Sequence, residues 1–210
     1  MFDKETMYEM GTKERRARER QATHEGILEG ARQIAQNEGW SSVTIRKVAD
    51  YIEYSPSMVY EYFASKEAIL LELFRQGFHQ LHRDLQDAGR STLDPALRPE
   101  RMAMAYWQFA RSNPELYQVM HSVGGVVLQA EAQQDTVQVV CDCVQSALED
   151  WARASSVTLA DPFRATELAW CALHGLVSAY LTGRIIGGEA AAEQQVTSMI
   201  RTLLAGWAAT

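Results

Sequence analysis

Apolar side chains recur every three to four residues along most of the chain, which is the spacing of one face of an α-helix. No stretch shows the alternation of apolar and polar residues that predicts a β-strand. Segments with glycine, proline or serine interrupt the helical pattern at residue 39, residues 89–99 and residues 187–188. We therefore predict an all-α fold of about nine helices, beginning near residues 12, 44, 56, 66, 100, 114, 126, 162 and 190.

The longest of these predicted helices cover residues 12–38, 66–87, 126–154 and 162–184. Residues 1–10 show no clear pattern, and we predict that they form a loose arm.

Residues 44–66 predict two short helices joined by a tight turn and followed by the start of a third. Thr44 and Ser55 are good N-cap residues, and Pro56 suits the first position of the helix that Ser55 begins. In that helix Val59 and Phe63 fall on one side and predict a core contact. Its other side chains are small, hydroxylated or aromatic and are expected to face outward: Ser57, Met58, Tyr60 and Tyr62.

The charge of the 210-residue chain is unevenly distributed. The net charge is −7, which argues against a protein that is basic throughout. Residues 11–20, however, contain five basic and two acidic side chains, whereas residues 76–210 contain nine basic and fourteen acidic ones. A basic N-terminal edge with an acidic remainder suits a protein that meets phosphates with one end only.

The N-terminal residues resemble the tetracycline-repressor (TetR) class of bacterial helix-turn-helix regulators. The resemblance covers roughly the first 75 residues. The family usually has glycine in the turn where Glu53 stands here, a position at which a residue other than glycine adopts the left-handed conformation only at some cost. The matching positions are Ile27, Ala31, Gly39, Thr44, Val48, Ala49, Ser55, Val59, Tyr60, Tyr62, Phe63, Lys66, Ile69 and Leu70.

Trp170, His174 and Gly175, preceded by the segment from Tyr106 to Met120, resemble a C-terminal subclass of the same family with a Trp-His-Gly signature. Together the two resemblances imply a helix-turn-helix DNA-binding domain at residues 1–65 and an effector-binding and dimerisation domain at residues 66–210. The implied function is that of a DNA-binding transcriptional regulator. Repression, with release from a palindromic operator by a small apolar or aromatic effector, is the default of the family.

The resemblance also implies which residues approach DNA. Ser55, Pro56, Ser57 and Met58 would lie at the base edges of the major groove. Hydroxyl and ammonium groups are better suited to phosphates, and the residues that carry them here are Thr44, Tyr60, Tyr62 and Lys66, with further charge from Arg46 and Lys47. The alternative for Tyr60 and Tyr62 is ordinary helix packing.

One helix-turn-helix unit buries too little surface for tight specific binding, so a homodimer is expected. The last two helices are the candidates for its interface, because they offer small side chains for close approach and apolar area. The candidate residues are Ala172, Leu176, Ala179, Gly183, Val196, Ile200, Leu203 and Trp207.

Aromatic and sulfur-containing side chains are frequent in the middle helices, and two histidines accompany them. They predict either an apolar cavity with a few polar anchors or simply the core of a helical bundle. The candidate ligand-binding residues are Phe78, Met102, Tyr106, Trp107, Tyr117, Met120, His121, Trp151, Trp170 and His174.

No catalytic motif, metal-spaced cluster or cofactor signature is found in the sequence, so we predict neither an enzyme nor a metal or cofactor site. The three cysteines, Cys141, Cys143 and Cys171, are too sparse for a disulfide framework. Without a visible signal peptide or spanning segment, we predict a cytoplasmic protein that joins the bacterial nucleoid when it binds DNA. The alternative is a helical small-molecule-binding or scaffold protein that no longer recognises DNA. Glu53 in the turn is the feature that favours it.

Overall fold

The computed structural model of the chain describes residues 4–121 and 134–209, with side chains from residue 13 onward. Over these residues the fold is all-α, as predicted, with no β-strand and with two short 3-10 turns at Trp40–Ser42 and Pro95–Leu97. The nine α-helices of this part of the chain are α1 (Lys4–Glu38), α2 (Ile45–Tyr51), α3 (Pro56–Tyr60), α4 (Lys66–Arg90), α5 (Arg98–Ser112), α6 (Pro114–Met120), α7 (Gln134–Ala154), α8 (Pro162–Leu181) and α9 (Gly188–Ala208).

The prediction of a loose arm at residues 1–10 is wrong for residues 4–10, because α1 begins at Lys4. This segment contains no proline and has its first glycine at position 11, so no residue within it prevents the helix from extending. The first part of the helix predicted over 126–154, and the glycine pair at 124–125, lie outside the described residues.

The predicted N-caps hold the starts of the short helices. Thr44 Oγ1 accepts a hydrogen bond from the backbone N–H of Lys47 at 3.2 Å, and Ser55 Oγ accepts one from Met58 N–H at 3.3 Å. Each cap satisfies an N–H group that has no partner inside its helix. The 3-10 turn after α1 follows Gly39, whose φ of 82° is the conformation that stops the helix there.

The described residues divide into two compact units. The first ends at Leu73 and contains α1, α2, α3 and the first turns of α4. Its core forms because one face of each short helix carries aliphatic side chains, and α2 packs against both α1 and α3. The buried residues include Ile27, Ala31, Ile34, Trp40, Val43, Val48, Ala49, Val59, Phe63, Ile69 and Leu73.

The second unit comprises Phe74–His121 and the described residues after position 133. Its helix α5 packs against α7, α8 and α9, and α8 also packs against α7 and α9. Ion pairs join both ends of α5 to α9: Arg201 makes a bidentate contact to Glu100, and Arg111 pairs with Glu189. No helix in the described part of the chain is both long and apolar enough to span a lipid bilayer.

Candidate nucleic-acid interface and apolar cavity

The turn between α2 and α3 keeps the backbone shape that a glycine would give it. Glu53 has φ of 59°, in the left-handed region, and the N–H of Tyr54 donates to the carbonyl oxygen of Ala49 at 2.9 Å. This hydrogen bond closes the end of α2 in the manner of a C-capping motif. The glutamate therefore changes the energy of the turn but leaves the helix-turn-helix geometry in place.

Helix α3 presents opposite sides to the core and to solvent. Val59 is fully buried, whereas Ser57 is exposed and the Tyr60 side chain is 57% exposed. The hydroxyls of Ser55 and Ser57 lie 2.8 Å apart at the start of this helix. A helix N-terminus with hydroxyl groups toward solvent suits contacts to base edges or phosphates.

Most of the predicted DNA-contacting residues are on the surface. Met58, Tyr62 and Lys66 are only half-buried. The exposed ones are Thr44, Arg46, Lys47, Ser55, Pro56, Ser57 and Tyr60.

Three of these side chains already have partners within the first unit. Lys66 Nζ donates to the carbonyl oxygen of Trp40 at 2.6 Å and thereby ties α4 to the 3-10 turn. The guanidinium of Arg20 lies 5.3 Å from the centroid of the Tyr62 ring. Lys47 Nζ lies 2.5 Å from Glu38 Oε2, with both side chains about half exposed. Since an ammonium has three N–H groups, Lys66 and Lys47 each keep donors for a phosphate.

Two exposed tyrosines were missed by the sequence analysis. Tyr51 and Tyr54 are 54% and 46% exposed and flank the turn between α2 and α3. The sequence pattern did indicate that Tyr51 is exposed, because this residue falls outside the apolar stripe that contains Val48 and Ala49. The Tyr51 ring rests on α1, where a Cβ at Gly30 would lie 3.0 Å from it.

The second unit contains a hydrogen-bonded cluster of five polar side chains. The Tyr106 hydroxyl lies 3.1 Å from the Tyr117 hydroxyl and 3.4 Å from His121 Nε2. The Tyr117 hydroxyl lies 2.7 Å from His174 Nδ1, and His174 Nε2 lies 3.4 Å from Ser178 Oγ. Helices α5, α6 and α8 and the residue that ends α6 thus supply one continuous network, which we call the Tyr-His cluster.

Burial keeps the Tyr-His cluster uncharged near neutral pH. Desolvation, with a smaller contribution from His174, lowers the pKa of His121 to about 3. Desolvation also lowers the pKa of His174, raises the pKa of Tyr117 to about 12 and raises that of Tyr106 well above its ordinary value. The cluster therefore provides hydrogen-bonding groups in an apolar setting without a net charge.

An apolar cavity adjoins this cluster, with Tyr106 and Trp170 in its wall. Its volume is about 30 Å³, which is far below the several hundred Å³ of a typical small-molecule site. The other lining residues carry no charge: Leu85, Pro99, Met102, Ala103, Val144, Ala147, Leu148, Ala169, Leu173 and Ile200.

The structure brings together most, but not all, of the ten predicted ligand-binding residues. Phe78 stacks on Trp170 with ring centroids 6.2 Å apart, and Met102 lines the cavity. Trp107 instead packs against Tyr180, and Trp151 packs against Trp207 on α9. Met120 approaches Gly77, where a Cβ would lie only 2.5 Å from its sulfur. The residues of the Tyr-His cluster and its aromatic surround are Phe78, Tyr106, Tyr117, His121, Trp170, His174 and Ser178.

Two of the eight predicted dimerisation residues are buried inside the chain's own bundle, and the other six keep exposed surface. Val196 and Ile200 are 0% and 2% exposed, because this face of α9 packs inside the chain's own bundle. Gly183 lies beyond the end of α8 with φ of 68°, and its conformation ends that helix. The other candidates are half-buried and keep some surface: Ala172, Leu176, Ala179, Leu203 and Trp207.

Two further glycines lie on the outer faces of the same helices. Gly175 in α8 and Gly206 in α9 are exposed, and a Cβ at either position would meet no atom of the chain within 4 Å. A glycine inside an exposed helix costs roughly 0.5–1 kcal/mol relative to alanine and here relieves no internal crowding.

Comparison with known protein families matches both parts of the chain. Residues 27–73 match the model described as bacterial regulatory proteins, tetR family, and residues 100–203 match the one described as tetracyclin repressor-like, C-terminal domain. The chain belongs to the TetR family. It is a DNA-binding transcriptional regulator with an N-terminal helix-turn-helix and a C-terminal ligand-binding domain. The second match includes Trp170, His174 and Gly175.

Solved structures share the fold of this TetR-family regulator at low sequence identity. A protein of unknown function from Rhodococcus sp. RHA1 is 21% identical, with a TM-score of 0.76 over 88% of this chain and 95% of that one. The TetR family transcriptional regulator PfmR from Thermus thermophilus is 19% identical, with a TM-score of 0.67 over 85% and 97%. The fatty acid degradation regulator FadR from Bacillus halodurans is 14% identical, with a TM-score of 0.73 over 86% and 94%. No curated protein sequence matches the chain significantly.

Proposed function

We propose that this regulator is a homodimeric repressor that leaves a palindromic operator when a small apolar or aromatic effector binds its second unit. The observation that carries the proposal is the sidedness of α3, which buries Val59 and exposes Ser57 and Tyr60. Such a helix can enter the major groove without loss of its own packing. We place the protein in the bacterial cytoplasm because its partner is chromosomal DNA.

In this proposal the first residues of α3 contact the bases, and residues around α3 contact the sugar-phosphate backbone of the DNA. Ser55, Pro56, Ser57 and Met58 approach base edges, where the serine hydroxyls can donate or accept. Phosphate contacts come from residues on both sides of α3, which position the helix without reading sequence. These residues are Thr44, Arg46, Lys47, Tyr60, Tyr62 and Lys66, to which the exposed positions of Tyr51 and Tyr54 add two candidates.

The primary experiment measures binding of the full-length protein to the promoter region that flanks its own gene, by fluorescence anisotropy at several salt concentrations. We expect Tyr60→Ala to weaken operator binding at least about tenfold, since a contact from its hydroxyl to a phosphate is lost. Phe163→Ala is the matched control, because Phe163 is a similarly exposed aromatic residue, at 53%, in the second unit. Equal affinity of Tyr60→Ala and wild type would contradict the placement of α3.

Lysine substitutions test the phosphate contacts separately. Lys47→Ala and Lys66→Ala should each reduce the slope of log affinity against log salt by about 1. Because Lys66 also bonds Trp40, its variant needs a melting curve to show that the first unit remains folded. An unchanged salt slope in both folded variants would remove these residues from the interface.

The dimer is proposed to form through the outer faces of α8 and α9. Small residues permit close approach there, and a Cβ at the exposed Gly175 or Gly206 would meet no atom of the chain within 4 Å. We expect sedimentation equilibrium to show a dimer at micromolar concentration. Gly175→Arg should shift it toward monomer and weaken operator binding, whereas Gly26→Arg, at an uncrowded position in α1, should leave the dimer unchanged. A wild-type protein that is monomeric would overturn this part of the proposal.

Effector release is proposed to work by a population shift. The effector binds a more open form of the second unit, and α4, which contributes residues to both units, carries the change. If the effector lowers the affinity for the operator by some factor, the operator must lower the affinity for the effector by the same factor. Measurement of both factors tests the coupling, and unequal values would refute it without affecting the DNA-binding role.

A further inference from the structure

The apolar cavity and the Tyr-His cluster meet at Tyr106. Among the residues that line the cavity, only Tyr106 and Trp170 carry an O–H or N–H group on the side chain. Tyr106 is buried, and its hydroxyl belongs to the network that continues through Tyr117 and His174 to Ser178. Of the two polar groups of the wall, only the Tyr106 hydroxyl belongs to the Tyr-His cluster, so the cluster sets its donor and acceptor roles.

The network can present either a donor or an acceptor at that atom. A neutral imidazole has one N–H and one acceptor nitrogen, so His174 can pass hydrogen bonds in either direction between Ser178 and Tyr117. In one direction Tyr106 donates to Tyr117 and keeps a lone pair for the cavity. In the other, Tyr117 donates to Tyr106, whose own O–H can then donate either to His121 Nε2, 3.4 Å away, or to a ligand. A ligand hydroxyl, which both donates and accepts, can pair with Tyr106 in both arrangements.

Charge excludes other ligand classes. None of the cavity-lining residues is ionisable at neutral pH, and burial lowers the pKa of both nearby histidines, so the wall itself offers no positive charge to a carboxylate. Arg98 lines a neighbouring cavity that shares Met102 with this one, and its charge is paired with Asp150. An ionised group buried without a counter-charge costs several kcal/mol. The same cost applies to an ammonium group, because no carboxylate lines the cavity.

The size of the cavity shows that a ligand must open it. A volume of about 30 Å³ has room for little more than a water molecule. The wall includes Met102, whose unbranched thioether side chain can change rotamer more easily than a β-branched one. Entry of a ligand thus selects an expanded form of the second unit, as the population-shift mechanism requires.

We infer that the effector is a neutral, mainly hydrocarbon molecule with one hydroxyl group, recognised by the hydroxyl of Tyr106. This inference deepens the proposed function and rests on it. It excludes organic acids, acyl phosphates and amines as effectors that bind in this cavity.

The test uses four ligands that share one hydrocarbon frame and differ in one group: 4-propylphenol, propylbenzene, 4-propylbenzoate and 4-propylbenzylamine. Their affinities for the full-length protein are measured by isothermal titration calorimetry at pH 7. We expect 4-propylphenol to bind at least about tenfold more tightly than propylbenzene, which is the effect of one net hydrogen bond, and the two ions to bind more weakly than propylbenzene. Tighter binding of either ion, or no binding of any of the four at about 1 mM, would overturn the inference.

Tyr106→Phe tests the residue assignment. It should reduce the preference for 4-propylphenol over propylbenzene to about onefold while propylbenzene still binds, since the hydrocarbon needs no hydroxyl. The control is Tyr180→Phe, because Tyr180 packs against Trp107 and lines neither the cavity nor the Tyr-His cluster. An undiminished preference in Tyr106→Phe would refute the assignment. The four-ligand comparison on the unaltered protein decides the ligand class even if this variant does not fold.

Operator binding separates failure of this inference from failure of the proposed function. If 4-propylbenzoate releases the operator and 4-propylphenol does not, the ligand class is wrong and effector-controlled release stands. If 4-propylphenol binds with the expected preference and leaves operator affinity unchanged, the ligand class is right and effector-controlled release is wrong.

Discussion

The two units of this regulator use tyrosine in opposite ways. In the first unit, Tyr51, Tyr54 and Tyr60 are 46–57% exposed, and in the second Tyr106 and Tyr117 are 2% and 0% exposed and hydrogen-bonded to each other. The cause is the number of neighbours that each helix has. Helix α3 contains five residues and buries one of them, Val59, whereas α5 is packed against α7, α8 and α9. The same residue type thus serves as a surface contact in one unit and as a polar core element in the other.

The largest difference in the free energy of unfolding is expected between two variants, each of which removes an aromatic ring from one unit. Trp107→Ala should lower the free energy of unfolding by about 3–5 kcal/mol, because a fully buried ring is lost and a cavity remains. Tyr60→Ala should change it by less than about 0.5 kcal/mol, since the ring is mainly in solvent. Urea unfolding measures both values. Similar losses in the two variants would show that Tyr60 is part of a core.

A smaller contrast concerns tyrosine hydroxyls. Tyr117→Phe should cost about 1–3 kcal/mol, because Tyr106 and His174 lose a buried hydrogen-bonding partner. Tyr54→Phe removes an equivalent hydroxyl from an exposed side chain and should cost close to nothing. The same unfolding experiment applies. A negligible cost for Tyr117→Phe would mean that water or another group replaces the lost partner.

Acid should destabilise the second unit through His121. Its pKa is about 3 in the folded protein and about 6.5 when unfolded, so between these values the unfolded chain binds more protons. Stability from this group is complete above about pH 6.5 and falls with decreasing pH by at most about 1.4 kcal/mol per unit. His121→Phe should remove this part of the slope between pH 6 and 4, as measured by urea unfolding at each pH. Parallel slopes in wild type and variant would show that His121 protonates in the folded state.

The smallest expected effect compares two left-handed residues, one in each unit. Glu53 has φ of 59° and Ser156 has φ of 56°, and replacement of either by glycine should raise stability by about 0.5–1 kcal/mol. Only Glu53→Gly should also tighten operator binding, because it removes a negative charge from the turn beside α3. Glu53→Ala separates the two causes, since it removes the charge but keeps the strained Cβ. A gain in operator affinity from Ser156→Gly would contradict the division of roles.

The sequence permitted prediction of the elements that depend on local chemistry. The caps at Thr44 and Ser55, the stop at Gly39 and the helical spacing of the apolar residues are each determined by residues within a few positions of one another. The predicted start of α1 was wrong because residues 4–10 contain helix-forming residues without a strong periodic pattern. The exposure of Tyr51 could have been predicted from the pattern of α2 and was overlooked.

Long-range packing set the limits of prediction at the second site. Val196 and Ile200 form an apolar stripe that would suit either a dimer interface or an internal contact. In the structure α5 packs against α9, and both residues are buried inside the chain. The ten candidate ligand-binding residues were chosen by type, and their separation into the Tyr-His cluster, the Trp107–Tyr180 pair and the Trp151–Trp207 pair depends on how the helices cross.

By itself, the amino-acid sequence determined that this chain forms helices, where most of them begin, and that a short capped helix with Ser57 and Tyr60 follows a tight turn, because hydrogen bonds and steric limits between near neighbours set these features. Only the tertiary structure decided that Lys66 is bound to Trp40, that Glu53 takes a glycine's conformation, and that Tyr106 joins an uncharged network to an apolar cavity. Such features depend on groups distant along the chain, or on a turn shaped by the helices on both sides, and their positions follow from the packing of whole helices.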